Sequence, residues 1–412
     1  MIHGWIPVLD RKIWLLLCGY TISLFGTGMT GPFLIVYLHQ VHGIVLPMAG
    51  AVIAASSVAG VVAIPMAGWA GDRFGTRWSL MNTLLICAAG QTGMAFIHGP
   101  EWAFAASFLT GAGETGSWNA LSSLLAESVK SDRRNDVFGV AYGLQNFGGG
   151  LGAAVGGVLL NVHSGLSFTI VFLFDAFSFL LFALFAGSRV AGGGRRKRIV
   201  QNRSSPQNGG YRAVFKDGSL MATILLYALF AVIMVGLGST AFPQWATGPA
   251  NSSTRVVGLA FLVNSCVVVG GQLFVLRMAE GRRRTRTVAL TALTFAGGCA
   301  VIYFSGVVRN GVLTAAGFIF AWALVGFGET LLFSSLPALV NNLASDSLRG
   351  RYNSMFNLSW QIGSIVGPPL AGWMLGHHWD SGLFFGFTVI SGMLAVFALG
   401  LERVLPHAIN EG

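Results

Sequence analysis

Three carboxylic acids, Glu114, Asp175 and Glu329, stand inside long apolar runs of a 412-residue chain. An ionisable side chain at membrane depth costs about 2.5–3.5 kcal/mol on insertion scales and normally faces a cavity or a partner. No Lys or Arg lies deep in any of these runs, so the sequence offers the acids no neighbouring cation. A carboxyl group so placed can take up a proton on one side of a membrane and release it on the other, or hold a cationic ligand. The competing reading is an acid hydrogen-bonded between packed helices. Asp175, in Phe174-Asp175-Ala176-Phe177-Ser178-Phe179, fits that structural reading better than Glu114 or Glu329. Amide and aromatic side chains at Tyr20, Asn119, Gln145, Asn146, Asn264, Asn357, Trp360 and Gln361 suit a mixed polar and apolar pocket. For each of them taken alone, helix–helix hydrogen bonding is an equal alternative.

The elements that must carry these residues follow from composition. The chain is 54% hydrophobic and only 10% charged, against about 25% charged for a soluble domain. Its apolar runs are about 20 residues or longer, the length of a bilayer-spanning helix. They are predicted at 13–38, 46–70, 77–98, 102–127, 136–161, 166–187, 219–245, 256–277, 287–307, 311–341, 351–376 and 381–402. A β-barrel would show alternating segments of about ten residues, whereas these runs are continuous. The 57 glycines suit helices that approach closely in lipid. The fold class is therefore an all-α integral membrane protein of about twelve spans.

Charge fixes the orientation. Net charge is +10, yet 23 of the 25 Lys and Arg residues fall at the termini and around the loops after the even-numbered spans, and only Arg255 and Arg309 lie in the opposite loops. This distribution marks topology rather than nucleic-acid binding. It predicts a plasma (inner) membrane protein with both termini cytoplasmic. Residues 1–187 form a first six-helix bundle and 219–412 a second. Residues 188–218 form a basic cytoplasmic linker whose run Arg195–Arg198 suits contact with anionic lipid. The first run, preceded by Arg11 and Lys12, reads as a retained span rather than a cleaved signal. Cys18, Cys87, Cys266 and Cys299 lie in apolar stretches without metal-ligand or disulfide spacing and read as small buried hydrophobes. His377 and His378 read as a solvated pair. No P-loop, G-x-S-x-G or H-E-x-x-H pattern occurs, so neither an enzyme nor a cofactor is expected.

The chain repeats itself. Residues 111–134, GAGETGSWNALSSLLAESVKSDRR, match 326–349, GFGETLLFSSLPALVNNLASDSLR, at an offset of 329 − 114 = 215. The offset also pairs Leu121 with Leu336, Leu124 with Leu339, Gly152 with Gly367 and Gly157 with Gly372. Glu114 and Glu329 thus occupy equivalent places, as do Gln145-Asn146 and Trp360-Gln361. Duplication of a six-span unit is a known route to transporter folds.

The loop after the second span, Gly68-Trp-Ala-Gly71-Asp72-Arg73-Phe-Gly75-Thr-Arg77, resembles the G-x-x-x-D-R-x-G-x-R/K signature of the major facilitator superfamily. The resemblance implies two six-helix bundles related by a pseudo-two-fold axis and alternating access. It also implies a conformational latch at Gly68, Asp72, Arg73, Gly75 and Arg77, with Gly68 there for close helix packing. The second-half counterpart, Glu280-Gly-Arg-Arg-Arg-Thr-Arg286, is degenerate. Gly139, Gly148, Gly152, Gly156 and Gly157 resemble the antiporter motif of the drug:proton antiporter branch, with Ala153 in place of its proline. Ser107 stands where many of that branch carry an arginine, so an arginine-centred proton relay is not available. The resemblance implies a monomeric secondary transporter that exports small amphipathic compounds in exchange for protons, its partners being that small-molecule substrate, protons and membrane lipids. Proton-coupled uptake of a sugar or other nutrient is the first alternative. A non-transporting receptor or enzyme on the same fold is the second.

Overall fold

The computed structural model describes residues 9–130, 133–188, 211–279, 283–308, 310–345, 348–403, 405 and 410. Most of the linker, including Arg195–Arg198, and residues 280–282 of the degenerate second loop lie outside the described residues. Among the described residues the chain is helical and no strand occurs. Among the described residues twelve long helices run as α1 Arg11–Val41, α2 Leu46–Phe74, α3 Thr76–Ala95, α4 Pro100–Ser128, α5 Arg134–Leu159 and α6 Gly165–Gly187. They continue as α7 Gly218–Thr247, α8 Thr254–Ala279, α9 Arg284–Val308, α10 Gly311–Leu343, α11 Arg349–Gly376 and α12 Asp380–Leu401. A six-residue helix, Tyr211–Lys216, precedes α7.

Eight of these helices are long and apolar enough by composition to cross a membrane. The other four, α3, α4, α5 and α11, are diluted by Ser, Thr, Asn, Gln and Gly. Three of those four carry Glu114, Asn119, Gln145, Asn146, Asn357, Trp360 and Gln361. Polar groups are costly against lipid, so helices enriched in them belong inside a bundle.

Two helices depart from regular geometry. In α1 the α-helix stops at Thr30, passes through a tight turn at Gly31–Phe33 and ends in a wide turn at Tyr37–Val41. Pro32 supplies no backbone N–H, which accounts for the first change. A similar wide turn interrupts α7 at Leu237–Ala241. Gly75 alone separates α2 from α3, and its φ of 100° lies in the region that only glycine enters without strain. This is the local reason for a glycine at that place in the latch sequence.

Chain contacts group the protein into two compact units: Met1–Gly194 with Ser253–Ser265, and Arg195–Ser252 with Cys266–Gly412. The first half of α8 therefore packs with the first unit. In that unit Leu121, Leu124 and Leu125 of α4 are buried with Leu80 and Leu84 of α3 and Phe179 and Phe182 of α6. The repeat partners Leu336 and Leu339 are equally buried in the second unit. There, Asp217 caps α7 by accepting from the backbone N–H groups of Ser219 and Leu220, and the Tyr352 hydroxyl donates to its other oxygen at 2.7 Å. Cys87 and Cys299 are buried, but Cys18 and Cys266 are exposed, contrary to the expectation that all four would be enclosed. A helix with lipid on one face has no need to bury every apolar residue.

Candidate functional site

Glu114 sits midway along α4, and Trp118 follows one turn later on the same face. The Tyr20 ring of α1 stacks on Trp118 at 5.6 Å and an interplanar angle of 29°. The Tyr20 hydroxyl donates to Gln145 Oε1 of α5 at 3.4 Å. Glu114, Tyr20, Trp118 and Gln145 thus form one cluster from three helices. Among the described residues no cation and no hydrogen-bond donor meets the Glu114 carboxyl group.

The second unit builds the related cluster. Glu329 on α10 is followed one turn later by Phe333, the repeat partner of Trp118 (333 − 118 = 215). Phe333 lies 6.0 Å from Trp360 of α11. Tyr227 of α7 stacks on Phe356 at 4.1 Å and lies 5.7 Å from Trp360. At the repeat-equivalent positions 145 and 360 the first unit's Tyr20 meets an amide and the second unit's Tyr227 an indole. The sequence reading passed over Trp118, Phe333 and Tyr227. The 215 offset held the signal for the first two.

The remaining candidates separate by environment. Asn119 and Asn146 each turn an amide N–H back onto their own helix, to the carbonyls of Thr115 and Tyr142. Asn357 is exposed, Gln361 is half-buried and Asn264 is buried on α8. Gln145 and Asn146 also line a cavity of about 280 Å³ with Leu24, Thr27 and Pro32 of α1 and Phe261 and Ser265 of α8. Asp175 lies apart from that lining, fully buried where α6 meets α1. The hydroxyls of Thr30, Ser178 and Thr27 approach its carboxyl oxygens at 3.1, 3.4 and 3.5 Å. Ser107 is buried and donates to the Val52 carbonyl at 2.6 Å, tying α4 to α2.

The glycine series on α5 is a packing stripe for most of its length. A Cβ at Gly148, Gly152 or Gly156 would stand 2.9, 2.1 or 2.6 Å from the carbonyl oxygens of Thr21, Phe25 and Met29 on α1. A Cβ at Gly157 would stand 2.5 Å from the Thr254 carbonyl at the start of α8, whose hydroxyl donates to the carbonyls of Gly157 and Leu160. Gly139 belongs to the same spacing but faces open space. The second unit repeats the arrangement: Gly363 packs on Ala231, and Gly367 on the Val232 carbonyl and Gly236 of α7. The offset relates Gly148 to Gly363 and Gly152 to Gly367, so the duplication extends to the contacts.

The latch residues need one correction. Gly68 does not mediate close packing: it is exposed, and a Cβ there would meet nothing within 4 Å. Its neighbours Ile64, Pro65 and Asp72 on α2 are exposed as well, so among the described residues of the first unit no second helix presses on it. Arg77 has a role that the signature did not suggest. Its guanidinium donates to the carbonyls of Ala186 and Ser188, both at 2.7 Å, and to that of Gly187. It thereby satisfies the free carbonyls at the end of α6, where the helix dipole favours a cation. Arg73 lies over the rings of Trp69 and Phe74 at 5.6 and 5.7 Å. Asp72 is exposed beside it. In the second unit, Arg283 and Arg286 at the start of α9 grip Glu402, which follows the last turn of α12. Those two hydrogen-bonded cations hold the Glu402 carboxyl at a pKa of about 2, well below the ordinary carboxylate range. Each unit therefore fastens the end of its sixth helix to an arginine at the start of its third.

Comparison with known proteins places these features in context. The family profile described as Major Facilitator Superfamily matches residues 16–321 and 239–411. The chain is 26% identical over 400 residues to the uncharacterised MFS-type transporter YttB of Bacillus subtilis, covering 93% of each chain. It is 24% identical to a Na(+), Li(+), K(+)/H(+) antiporter of Planococcus maritimus, over 90% of this chain and 92% of that one. It is 23% identical to the class H tetracycline resistance protein of Pasteurella multocida, over 97% and 99%. Among solved structures, a POT family transporter bound to 5-aminolevulinic acid superposes with a TM-score of 0.77 at 14% identity, covering 98% of this chain and 99% of that one. The nucleoside transporter NupG gives 0.73 at 14% identity, covering 96% and 100%. At that identity the likeness concerns the fold.

Proposed function

Because the chain belongs to the major facilitator superfamily, and is thus a multi-pass membrane transporter of a small-molecule substrate rather than an enzyme, we propose that it exports small amphipathic compounds in exchange for protons by alternating access. One observation carries the reading: a carboxylic acid, Glu114, that among the described residues meets no cation or donor, set one turn from a stacked Tyr20–Trp118 pair. An acid at membrane depth is expensive to keep without a use. Here it stands beside aromatic faces that suit a flat or cationic organic molecule. Glu329 repeats the acid in the second unit, one turn before Phe333, whose ring lies 6.0 Å from Trp360. The named antiporter and tetracycline resistance relatives support exchange and export.

In this reading Glu114 and Glu329 bind the coupling proton or a cationic substrate. Gln145, Asn146, Asn357, Trp360 and Gln361 line the route. Asp72 and Arg73 act in the cytoplasmic latch. The protein works as a monomer in the plasma membrane with both termini inside, as the 23 to 2 distribution of basic residues suggests.

The test uses the purified protein in liposomes with an imposed pH gradient and ethidium as probe. Wild-type protein moves the dye against its gradient while protons flow the opposite way. Glu114→Gln or Glu329→Gln abolishes coupled movement. Dye flux that survives both substitutions removes the carboxylates from the mechanism. External alkalinisation on adding a sugar or peptide, without dye movement, replaces export by uptake.

A further inference from the structure

Asp175 has no place in the cluster around Glu114, yet its surroundings are built from proton-exchanging groups. Four oxygen-bearing side chains meet where α1 crosses α6: Asp175, Ser178, Thr27 and Thr30. The approach is close, since a Cβ on Gly26 would stand 2.4 Å from Asp175 Oδ1 and 2.7 Å from Ser178 Oγ. Each hydroxyl carries one proton. Ser178 faces both the Asp175 carbonyl at 2.7 Å and Oδ1 at 3.4 Å. Thr30 faces both the Thr27 carbonyl at 3.2 Å and Oδ2 at 3.1 Å. Acceptors therefore outnumber donors. Protonating Asp175 at Oδ1 supplies the missing donor: its O–H serves Thr27 Oγ1, and the Ser178 proton is then free for the Asp175 carbonyl.

Thr27 has a second neighbour. It lines the cavity of about 280 Å³ between α1, α5 and the first half of α8, together with Gln145 and Asn146. A space of that size, mostly apolar but with Thr27, Gln145, Asn146 and Ser265 in its lining, admits water beside those groups. Thr27 thus belongs to the cavity lining while its hydroxyl reaches the buried carboxyl at 3.5 Å.

We propose that Asp175 is a second proton-carrying group, exchanged with the cavity through the Thr27 hydroxyl. This rests on the proton-coupled reading above. In release, the Asp175 O–H bond breaks as Thr27 Oγ1 closes up and takes that proton. Thr27 passes its own proton to water in the cavity, which leaves as hydronium, and Asp175 remains as carboxylate. The titratable groups on the neighbouring helices are Glu114 of α4 and the buried thiol of Cys87 on α3. Towards it α1 presents only hydroxyls, and α5 presents no charged side chain among the described residues.

The test needs no transported substrate, so its failure is separable from failure of the export reading. Full-length protein in lipid is followed by infrared difference spectroscopy after a pH jump. The wild type shows the carbonyl stretch of a protonated carboxylic acid, which disappears on alkalinisation. Asp175→Asn removes that band while bands from Glu114 and Glu329 remain. Thr27→Val keeps the shape, leaves the band's amplitude intact and slows its loss by about a hundredfold, the lower end of what a positioned proton-transfer group supplies. An unchanged spectrum in Asp175→Asn overturns the proposal. So does a wild-type rate in Thr27→Val, which is the variant to rely on if Asp175→Asn fails to fold. A band that responds to sodium at fixed pH makes the cluster an alkali-cation site and overturns it equally.

Discussion

Gly152→Ala is the perturbation whose consequence the structure fixes most tightly. The added methyl would stand 2.1 Å from the Phe25 carbonyl oxygen and 3.0 Å from Gly28 Cα. Ordinary contact begins at 3.4 Å, so α1 and α5 must part by about 3.4 − 2.1 = 1.3 Å along that line. The obstacle is backbone, which cannot rotate away as a flexible side chain can. Overpacking of this kind costs about 1–3 kcal/mol, and a backbone clash belongs at the upper end. Replacing glycine by alanine in a helix also gains about 1 kcal/mol of helix propensity. That gain is shared by Gly139→Ala, where a Cβ meets nothing within 4 Å. Comparing the two substitutions cancels propensity and isolates packing. The assay is modification of the buried Cys87 and Cys299 by a thiol probe during heating, in a background where the exposed Cys18 and Cys266 are serine. Gly139→Ala should match or exceed the parent midpoint, and Gly152→Ala should fall well below it. Equal midpoints would show that α5 does not press on α1 at this place, and would refute the reading of the stripe as a packing device.

Three further outcomes are expected. Arg77→Ala should lower the thermal midpoint by removing three donors from the end of α6, about 1–3 kcal/mol for charge-assisted bonds; Arg77→Lys should restore only part, since an ammonium cannot fork across successive carbonyls. Glu402→Gln should destabilise the second unit at neutral pH. Its folded pKa of about 2 lies below the ordinary value near 4.3, so its contribution is complete above about pH 5 and fades as pH falls toward 2; melting curves of wild type and variant should converge over that interval. Gly367→Ala should repeat the Gly152→Ala loss in the second unit, its Cβ meeting the Val232 carbonyl at 2.5 Å; a midpoint equal to wild type would break the equivalence of α5 and α11.

Much of the fold was legible because membranes impose one-dimensional rules. A span needs about 20 apolar residues wherever it occurs, and loop cations report sidedness by position alone. The 215 offset located two helices of each half before any contact was known. The site was legible only as residue types. Glu114 and Glu329 stand out because a carboxylic acid is conspicuous among Leu, Phe and Gly. Trp118, Tyr227 and Phe333 do not stand out, since aromatic residues are common throughout the chain. Their relevance depends on which ring stacks on which, and that is decided by the crossing of separate helices.

The same boundary runs through the glycines and the charges. Sequence determined that the protein is a duplicated bundle of membrane helices with acids at matched depth. Tertiary structure decided that Gly152 presses on a carbonyl while Gly68 and Gly139 press on nothing, although all three sit in recognisable motifs. It also decided that Arg77 closes the end of α6 and that Asp175 is enclosed by hydroxyls from a helix about 145 residues away. Hydrophobicity and charge are properties of a residue and its near neighbours, so the chain itself displays them. Close approach and hydrogen bonding are properties of pairs, and the pairs form only when helices far apart in sequence are packed together.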